Sequence, residues 1–445
     1  MTRSLIRGGI TALFVSVLPA VGFTALKPGD VLDQSNWQEA KDLLPESILK
    51  YFAQGQARAP IIEVKDEDYR LDPEFQRDTE TNVGKYYIDE RGALMEVATK
   101  TYPRWWKGLP FPEINPQDPT AGVQIIYNLN ALRWHVDDLY WFVKLNWIGS
   151  IGLDRYVTIG TVQLNFVNRP SGPIPNPDEL NWKEVMFGVS PYDVVGLSTM
   201  TWYHQDPDRW QSIWSFVPVI RRIRRMTAAN QSDGMFGSVA ARNDPNVFIG
   251  NPVYFNWKLI GEQDLLVPIT KQDGPAIVMK ATEPNPNFIE SRASTVRRIG
   301  WHEPYVKWGY NVPGWNGVPW WPTSFSLAKR RVWVVEGSPK DPYYAYGRWI
   351  GYFDKKTTIG YYKIIYDHAG EYWRTVINGE LLPRAEDGSR LWKMVSGIVF
   401  RDDKQNVTNS IDVIGPSNGV NMFVEEGHNY MNDQISTTAM MRIGK

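Results

Sequence analysis

Four arginines fall within five positions, at Arg221, Arg222, Arg224 and Arg225, inside the stretch PVIRRIRRMTA that runs from Pro218 to Ala228. By composition alone this is a phosphate-binding strip. The totals argue against that. Lys and Arg number 48 against 49 Asp and Glu in 445 residues, whereas a nucleic-acid binder draws much of its affinity from a basic excess. Nucleic acid is therefore not an expected partner. On a strand, Arg221 and Arg225 would share one face with Ile223, and Arg222 and Arg224 the other with Ile220 and Met226. One pair would then approach a packed face, where an unpaired charge costs several kcal/mol. The expectation is that at least one arginine is paired with a carboxylate such as Asp233, Asp244, Glu262 or Glu336. In the alternative, Arg222 and Arg224 meet the headgroup of a bound lipid.

The remaining reactive residue types are sparse. The five histidines are His135, His204, His302, His368 and His428, and none has a metal-binding spacing. His135 and Asp137 are two apart, which on a strand suits a structural hydrogen bond better than a catalytic dyad. His368 falls in the turn YDHAG, where an exposed hairpin tip is expected. The carboxylate doublets Asp137/Asp138 and Glu425/Glu426 would point to opposite strand faces, so neither can clasp one substrate atom. No nucleophile elbow, phosphate loop or dinucleotide fingerprint occurs. The absence of Cys removes disulfides, thiol catalysis and thiolate metal sites. No enzyme, metal or cofactor is expected.

Aromatic residues are abundant, with 20 Trp, 22 Tyr and 17 Phe. Trp134, Trp141, Trp147, Trp202, Trp214, Trp257 and Trp333 fall on or beside segments that read as strands, as do Trp349 and Trp373. Each is either ordinary core or part of an apolar lining for a flat or acyl ligand. With Arg222 and Arg224, the first seven form the candidate ligand-binding set. The doublets Trp105-Trp106 and Trp320-Trp321 lie in Pro-rich loops. The loops 105–120 and 311–322 are candidate gates.

The elements that must position these residues read as mainly β. From Val123 onward, short β-branched and aromatic segments alternate apolar with polar residues between Gly, Pro, Asn and Asp turns. Hairpins are expected at 330–336, 347–354, 358–367 and 370–378. The sum is a large curved antiparallel sheet with a few covering helices and long Pro-rich loops. Upstream, Ser35 with Gln38 suggests a capping box for a first helix, and Pro45 opens a second that ends at Gly55. Residues 60–120 read as polar loop. The N-terminal Arg3 and Arg7, the apolar run and the small residues at Ala20 and Gly22 form a secretory signal pattern. The expected division is thus 1–22 signal peptide, 23–120 helical hairpin and loop segment packed on the sheet, and 121–445 curved β domain.

The blocks NWQEAKDLLPESILKYFAQG, GLPFPEINPQDPTAG, PVIRRIRR, FIGNPVYFNWKLIGEQDLLVPI and AKRRVWVVEGSPKDPYYAYGRWIGYFDKKTTIGYYKIIYDHAGEYWRT occur in that order. Together they resemble the exported bacterial family called domain of unknown function 1329, whose members are described as outer-membrane lipoprotein-sorting-like. That resemblance implies a half-barrel like the lipoprotein carriers LolA and LolB, in the Gram-negative periplasm. It also implies transport of a hydrophobic cargo, with an inner-membrane RND-type transporter and an outer-membrane partner. It carries no catalytic residues. The expected function is a lipid or lipophile carrier; the alternative is an envelope adaptor with a filled core and no ligand.

Overall fold

The computed structural model describes residues 26–67, 69–133, 135–226, 231–270, 277–281, 295–300, 306–381, 384–385, 394–414, 420–426 and 435–443. The expected signal segment and Trp134 lie outside them. The chain is mainly β: one large, mostly antiparallel sheet with four α-helices among the described residues.

Two meanders build the sheet. The first comprises β1 (Asp138–Ile148), β2 (Leu153–Asn165), β3 (Leu180–Ser190), β4 (Ser198–His204), β5 (Ser212–Val217) and β6 (Arg222–Met226). Each pairs antiparallel with the next. The second begins at the far side with β7 (Phe255–Thr270) and β8 (Phe325–Pro339). It continues through β9 (Arg348–Asp354), β10 (Gly360–Tyr366), β11 (Tyr372–Leu381), β12 (Met394–Asp402) and β13 (Val407–Ile414). Its last strand returns to the first strand of the other meander, with Thr408–Ile414 lying against Ile148–Phe142. A parallel bridge between Ile269 and Glu380 joins β7 to β11, so the second meander curls strongly enough for its first and fifth strands to meet. The four C-terminal strands expected as hairpins are β8 to β11.

Strand alternation sorts the side chains into layers. One face carries Val143, Leu145, Val157 and Ile159 from the first meander, and Val335, Trp349, Ile365, Val376, Ile398, Phe400 and Ile411 from the second. This inner face is a single apolar surface across both halves. It is covered by α3 (Ala121–Arg133) and by the segment 231–254. The opposite face of the second meander packs on the N-terminal segment, including α1 (Glu46–Ala53), and on the loop that carries Trp320 and Trp321. The opposite face of the first meander packs on α4 (Thr437–Ile443). No helix among the described residues is long and apolar enough to cross a membrane.

Several local expectations are corrected. Residues 121–133 form α3 and no strand. Asp118 opens it, its Oδ1 accepting from the Thr120 amide and hydroxyl, both at 2.7 Å. Almost every side chain of α3 is buried, so the polar face that would have marked a helix is missing. Asn128 binds the amide and carbonyl of Phe111 at 3.0 and 2.7 Å, tying the Pro-rich loop to the helix. At Gly122 the helix crosses β7 so closely that a Cβ would lie 2.9 Å from the Leu259 amide nitrogen. The Ser35 capping box does not form. Ser35 bonds Asp33, and Trp37–Ala40 is a single 3-10 turn. The Pro45 helix is present as α1. Residues 60–120 also contain α2 (Pro73–Glu80), capped by Asp72, and a hairpin of Tyr86–Ile88 with Leu94–Glu96.

Candidate functional site

The inner face is filled unequally. Beneath the second meander, Phe248, Phe255, Trp257, Tyr344 and Trp349 interlock with ring centroids 4.9 to 6.3 Å apart, mostly edge to face. At the junction with the first meander a cavity of about 170 Å³ remains. Its floor is Leu139, Trp141 and Val143 of β1, Thr161 of β2, Met186 of β3, Val395 and Ile398 of β12 and Ile411 of β13. Met235, Pro245, Asn246 and Ile249 of the 231–254 segment form its roof. Leu139, Trp141, Met186, Met235 and Val395 are only half-buried although they belong to the inner layer.

The roof is held by polar anchors. Lys363 of β10, fully buried, donates to Asp244 at 2.8 Å, and the Tyr346 hydroxyl donates to the same carboxylate at 2.7 Å. Asn378 accepts from the Asn246 amide at 3.0 Å, and Asn409 from the Val239 amide at 2.9 Å. Burial pulls the Lys363 ammonium below its usual range, with Asp244 opposing that shift.

One wall of the cavity is charged. Arg133 at the end of α3, Glu184 of β3, Tyr203 of β4 and Arg242 of the roof all line it. Arg242 Nη2 lies 2.6 Å from Glu184 Oε1, a carboxylate buried on the sheet's inner face. The Tyr203 hydroxyl donates to Glu184 at 3.3 Å and accepts from Arg242 Nε at 3.4 Å. Burial lowers the tendency of Arg133 to hold its charge, while neighbouring Glu184 supports it. For Arg242 burial acts the same way, but Tyr203 and Glu184 outweigh it and the net shift is upward. Burial pushes the Tyr203 phenol up to about 12, so it stays neutral near pH 7.

Of the residues singled out from sequence, Trp141 lines this cavity. Trp147 is on the same strand face, under the Arg155 guanidinium at 3.8 Å from its ring. Trp202 and Trp214 lie on the other face, edge to face at 5.2 Å, in the layer that packs on α4. Trp257 and Trp333 belong to the inner layer under the second meander, and Trp257 donates to the Pro252 carbonyl at 2.9 Å. Trp320 and Trp321 pack on Tyr51 and Phe52 of α1, so the loop 311–322 covers the face opposite the cavity and is not its gate.

The arginine cluster departs most from expectation. Arg221 sits in the turn before β6 with φ of 50°, outside the strand. Arg222, Arg224 and Arg225 are exposed on β6, an edge strand that pairs with β5. None of the four forms an ion pair among the described residues. Of the carboxylates named for them, three serve other cations: Asp244 takes Lys363, Glu262 takes Arg331 and Lys355, and Glu336 takes Arg348. Among the described residues Ile223 of β6 packs on the layer beneath α4 while its arginines stay exposed, so their charges stay hydrated, and charge on an edge discourages pairing with another chain. His135 likewise faces Asp72, its Nε2 3.5 Å from Oδ1, whereas Asp137 lies beside Arg169. His368 is exposed at the hairpin tip, as expected. Among the described residues no group of three or more His, Asp or Glu is placed to hold a metal ion.

The chain belongs to the family described as "Protein of unknown function (DUF1329)", which it matches over residues 31–399. Among solved structures it is similar to a domain from Vibrio parahaemolyticus named for outer membrane lipoprotein sorting. That likeness has 12% identity and a TM-score of 0.47, and covers 73% of this chain and 100% of the other. A DUF1329 family protein from Desulfovibrio piger is similar at 12% identity and a TM-score of 0.46, over 73% of this chain and 99% of the other. A LolA superfamily protein from Nitrosomonas europaea is similar at 10% identity and a TM-score of 0.39, over 71% and 96%. No curated protein matches the chain in sequence.

Proposed function

We propose that this protein is a non-catalytic carrier of the periplasm that binds a lipid or other hydrophobic cargo and works with an RND-type inner-membrane transporter and an outer-membrane partner. The observation that carries the reading is the cavity at the meander junction. Leu139, Trp141, Met186, Met235 and Val395 stand half-exposed around space that the same layer fills with aromatic rings elsewhere. Apolar surface left accessible inside a fold costs hydrophobic stabilisation unless a ligand covers it. The periplasmic assignment follows the signal pattern before Gly22, and the transporter follows the family resemblance. Trp141 is the lining residue retained from the sequence set. The remaining described tryptophans of that set support the sheet around the cavity. An adaptor role draws on the opposite observation, the solid packing under the second meander.

The test is uptake of the neutral dye N-phenyl-1-naphthylamine by the purified exported chain, with native mass spectrometry of what co-purifies. Fluorescence enhancement is expected, and Met186→Trp, which places an indole in the cavity, is expected to weaken uptake at least tenfold. A chain that takes up no dye and carries no lipophile is the adaptor instead.

A further inference from the structure

One end of the first meander presents apolar side chains to solvent on two closed turns. Tyr192–Val194 lies between β3 and β4, and Pro218–Ile220 between β5 and β6, each as a single 3-10 turn. Ser198 of β4 lies opposite Phe216 of β5, so the two turns leave the sheet side by side at the same end. Tyr192 is 94% exposed and Val219 92%, and Val195 and Ile220 are exposed beside them. Neither turn is loose. The Gly188 amide donates to the Leu197 carbonyl at 2.8 Å, and the Gly196 amide to the Gly188 carbonyl at 3.0 Å. In the second turn the Arg221 amide donates to the Pro218 carbonyl at 3.0 Å. Side chains that would gain from burial are thus held outward by an ordered backbone.

The charge beside these tips has one sign. Arg221, Arg222, Arg224 and Arg225 run from the second turn along β6, all exposed and without an ion pair among the described residues. Against those four cations the two turns hold one acid, Asp193. Other exposed cations are matched locally: Arg331 has Glu262 and Asp264, and Lys404 has Asp367 and Glu371. A chain that is nearly neutral as a whole therefore gathers unmatched positive charge next to its protruding apolar residues.

That pairing suits a surface with anionic groups outside and hydrocarbon beneath. The aliphatic stem of an arginine lies along the hydrocarbon boundary while its guanidinium holds a phosphate. A nucleic acid has no place for the apolar tips, and a rigid protein would need two matching hollows. Lipid deforms around a convex point.

Independently of what the cavity holds, we propose that this end of the first meander docks the protein on an anionic phospholipid bilayer. Tyr192, Val195, Val219 and Ile220 enter the headgroup layer, and the arginines of 221–225 pair with lipid phosphates. The protein lies on the surface and does not span it.

The experiment uses the full exported chain, with binding read by co-sedimentation with vesicles and insertion by an environment-sensitive nitrobenzoxadiazole label. The chain has no Cys, so Val219→Cys carries the label at the tip, and Ile260→Cys carries it at an exposed site on β7 as the control. Vesicles of phosphatidylcholine with about three-tenths phosphatidylglycerol are expected to bind at least tenfold more tightly than phosphatidylcholine alone. Raising salt to about 0.5 M is expected to erase that preference. On the mixed vesicles the label at Val219→Cys is expected to brighten and shift to the blue, while that at Ile260→Cys stays as in buffer. Arg222→Gln combined with Arg224→Gln, both at exposed positions, is expected to weaken binding at least fivefold. Equal binding to the two vesicle types, or no change of the label at Val219→Cys on bound vesicles, overturns the proposal. So does brightening at Val219→Cys that grows with protein concentration without vesicles, which makes the tips an interface between copies. Dye uptake reports on the cavity separately, so these failures leave the carrier reading standing.

Discussion

The two halves of the inner face share one sheet and one covering segment, yet they are completed differently. Under the second meander, Trp349 is buried among Phe248, Phe255, Trp257 and Tyr344, and the buried Lys363 is paired with Asp244. At the junction with the first meander the corresponding positions are Trp141, Met186 and Glu184, and they border open volume. The first arrangement has its charges balanced and its volume filled. The second leaves volume open. Close packing and open volume thus fall on different strands, so each half can be perturbed without the other.

The largest expected effect is at the buried pair. Lys363→Met removes the cation and leaves Asp244 buried beside Tyr346. Loss of about 3–5 kcal/mol is expected in urea unfolding, because the roof segment loses its anchor. Next is a matched pair of truncations. Trp349→Ala opens a hole in a close-packed layer and should cost about 3–5 kcal/mol. Met186→Ala enlarges space that already exists and should cost about 1 kcal/mol. Equal losses in the two variants would show that the junction is as tightly packed as the rest, and the contrast between the halves would fall.

A smaller effect distinguishes the two faces of β13. Ile411 faces the cavity, while its neighbour Asp412 is buried on the other side, accepting from Trp308 Nε1 at 2.7 Å and from Asn146 Nδ2 at 3.0 Å. Burial raises the Asp412 carboxyl to about 6, with its two hydrogen bonds and Lys144 acting against the shift. The folded state therefore holds this proton more tightly than the unfolded chain does. Its contribution is full below the unfolded value near 3.8 and is lost as pH rises through about 6. Asp412→Asn should unfold about 1–2 kcal/mol later than wild type at pH 7.5, with the advantage shrinking toward pH 4. Asn146 Oδ1 has no hydrogen-bond partner, so a flip of that amide accommodates the substituted side chain. Dye uptake at the cavity is expected to stay unchanged.

The strands of the second meander were readable because each is a short β-branched and aromatic run between clear turns, as in KTTIGYYKIIYDHAG. Residues 121–133 were not, because a helix buried on nearly every side offers no polar period to detect. The arginine cluster misled for a related reason. Strand alternation places side chains on faces, but it does not reveal that β6 is an edge strand among the described residues, with its arginines left exposed. The charged wall was hidden by distance along the chain: Arg133, Glu184, Tyr203 and Arg242 share no local spacing. A partial signal existed in WKEVM, residues 182–186, where alternation sets Glu184 between Trp182 and Met186 on one apolar face. Trp141 was named correctly as a strand aromatic, but nothing in its neighbours distinguishes it from Trp349, which the layer encloses.

The return of β13 to β1 also bears on how the chain is made. Asn146 and Ser410, bonded across that seam at 3.0 Å, are 264 residues apart in sequence. β1 therefore leaves the ribosome long before β13 exists, and closing so long a loop comes at an entropic cost. Until then its free edge, bearing Phe142, Leu145 and Trp147, is a template for unwanted strand addition. The seam beside the cavity is thus among the late joints of the nascent chain, and its exposed edge is a point that a holding chaperone would have to protect.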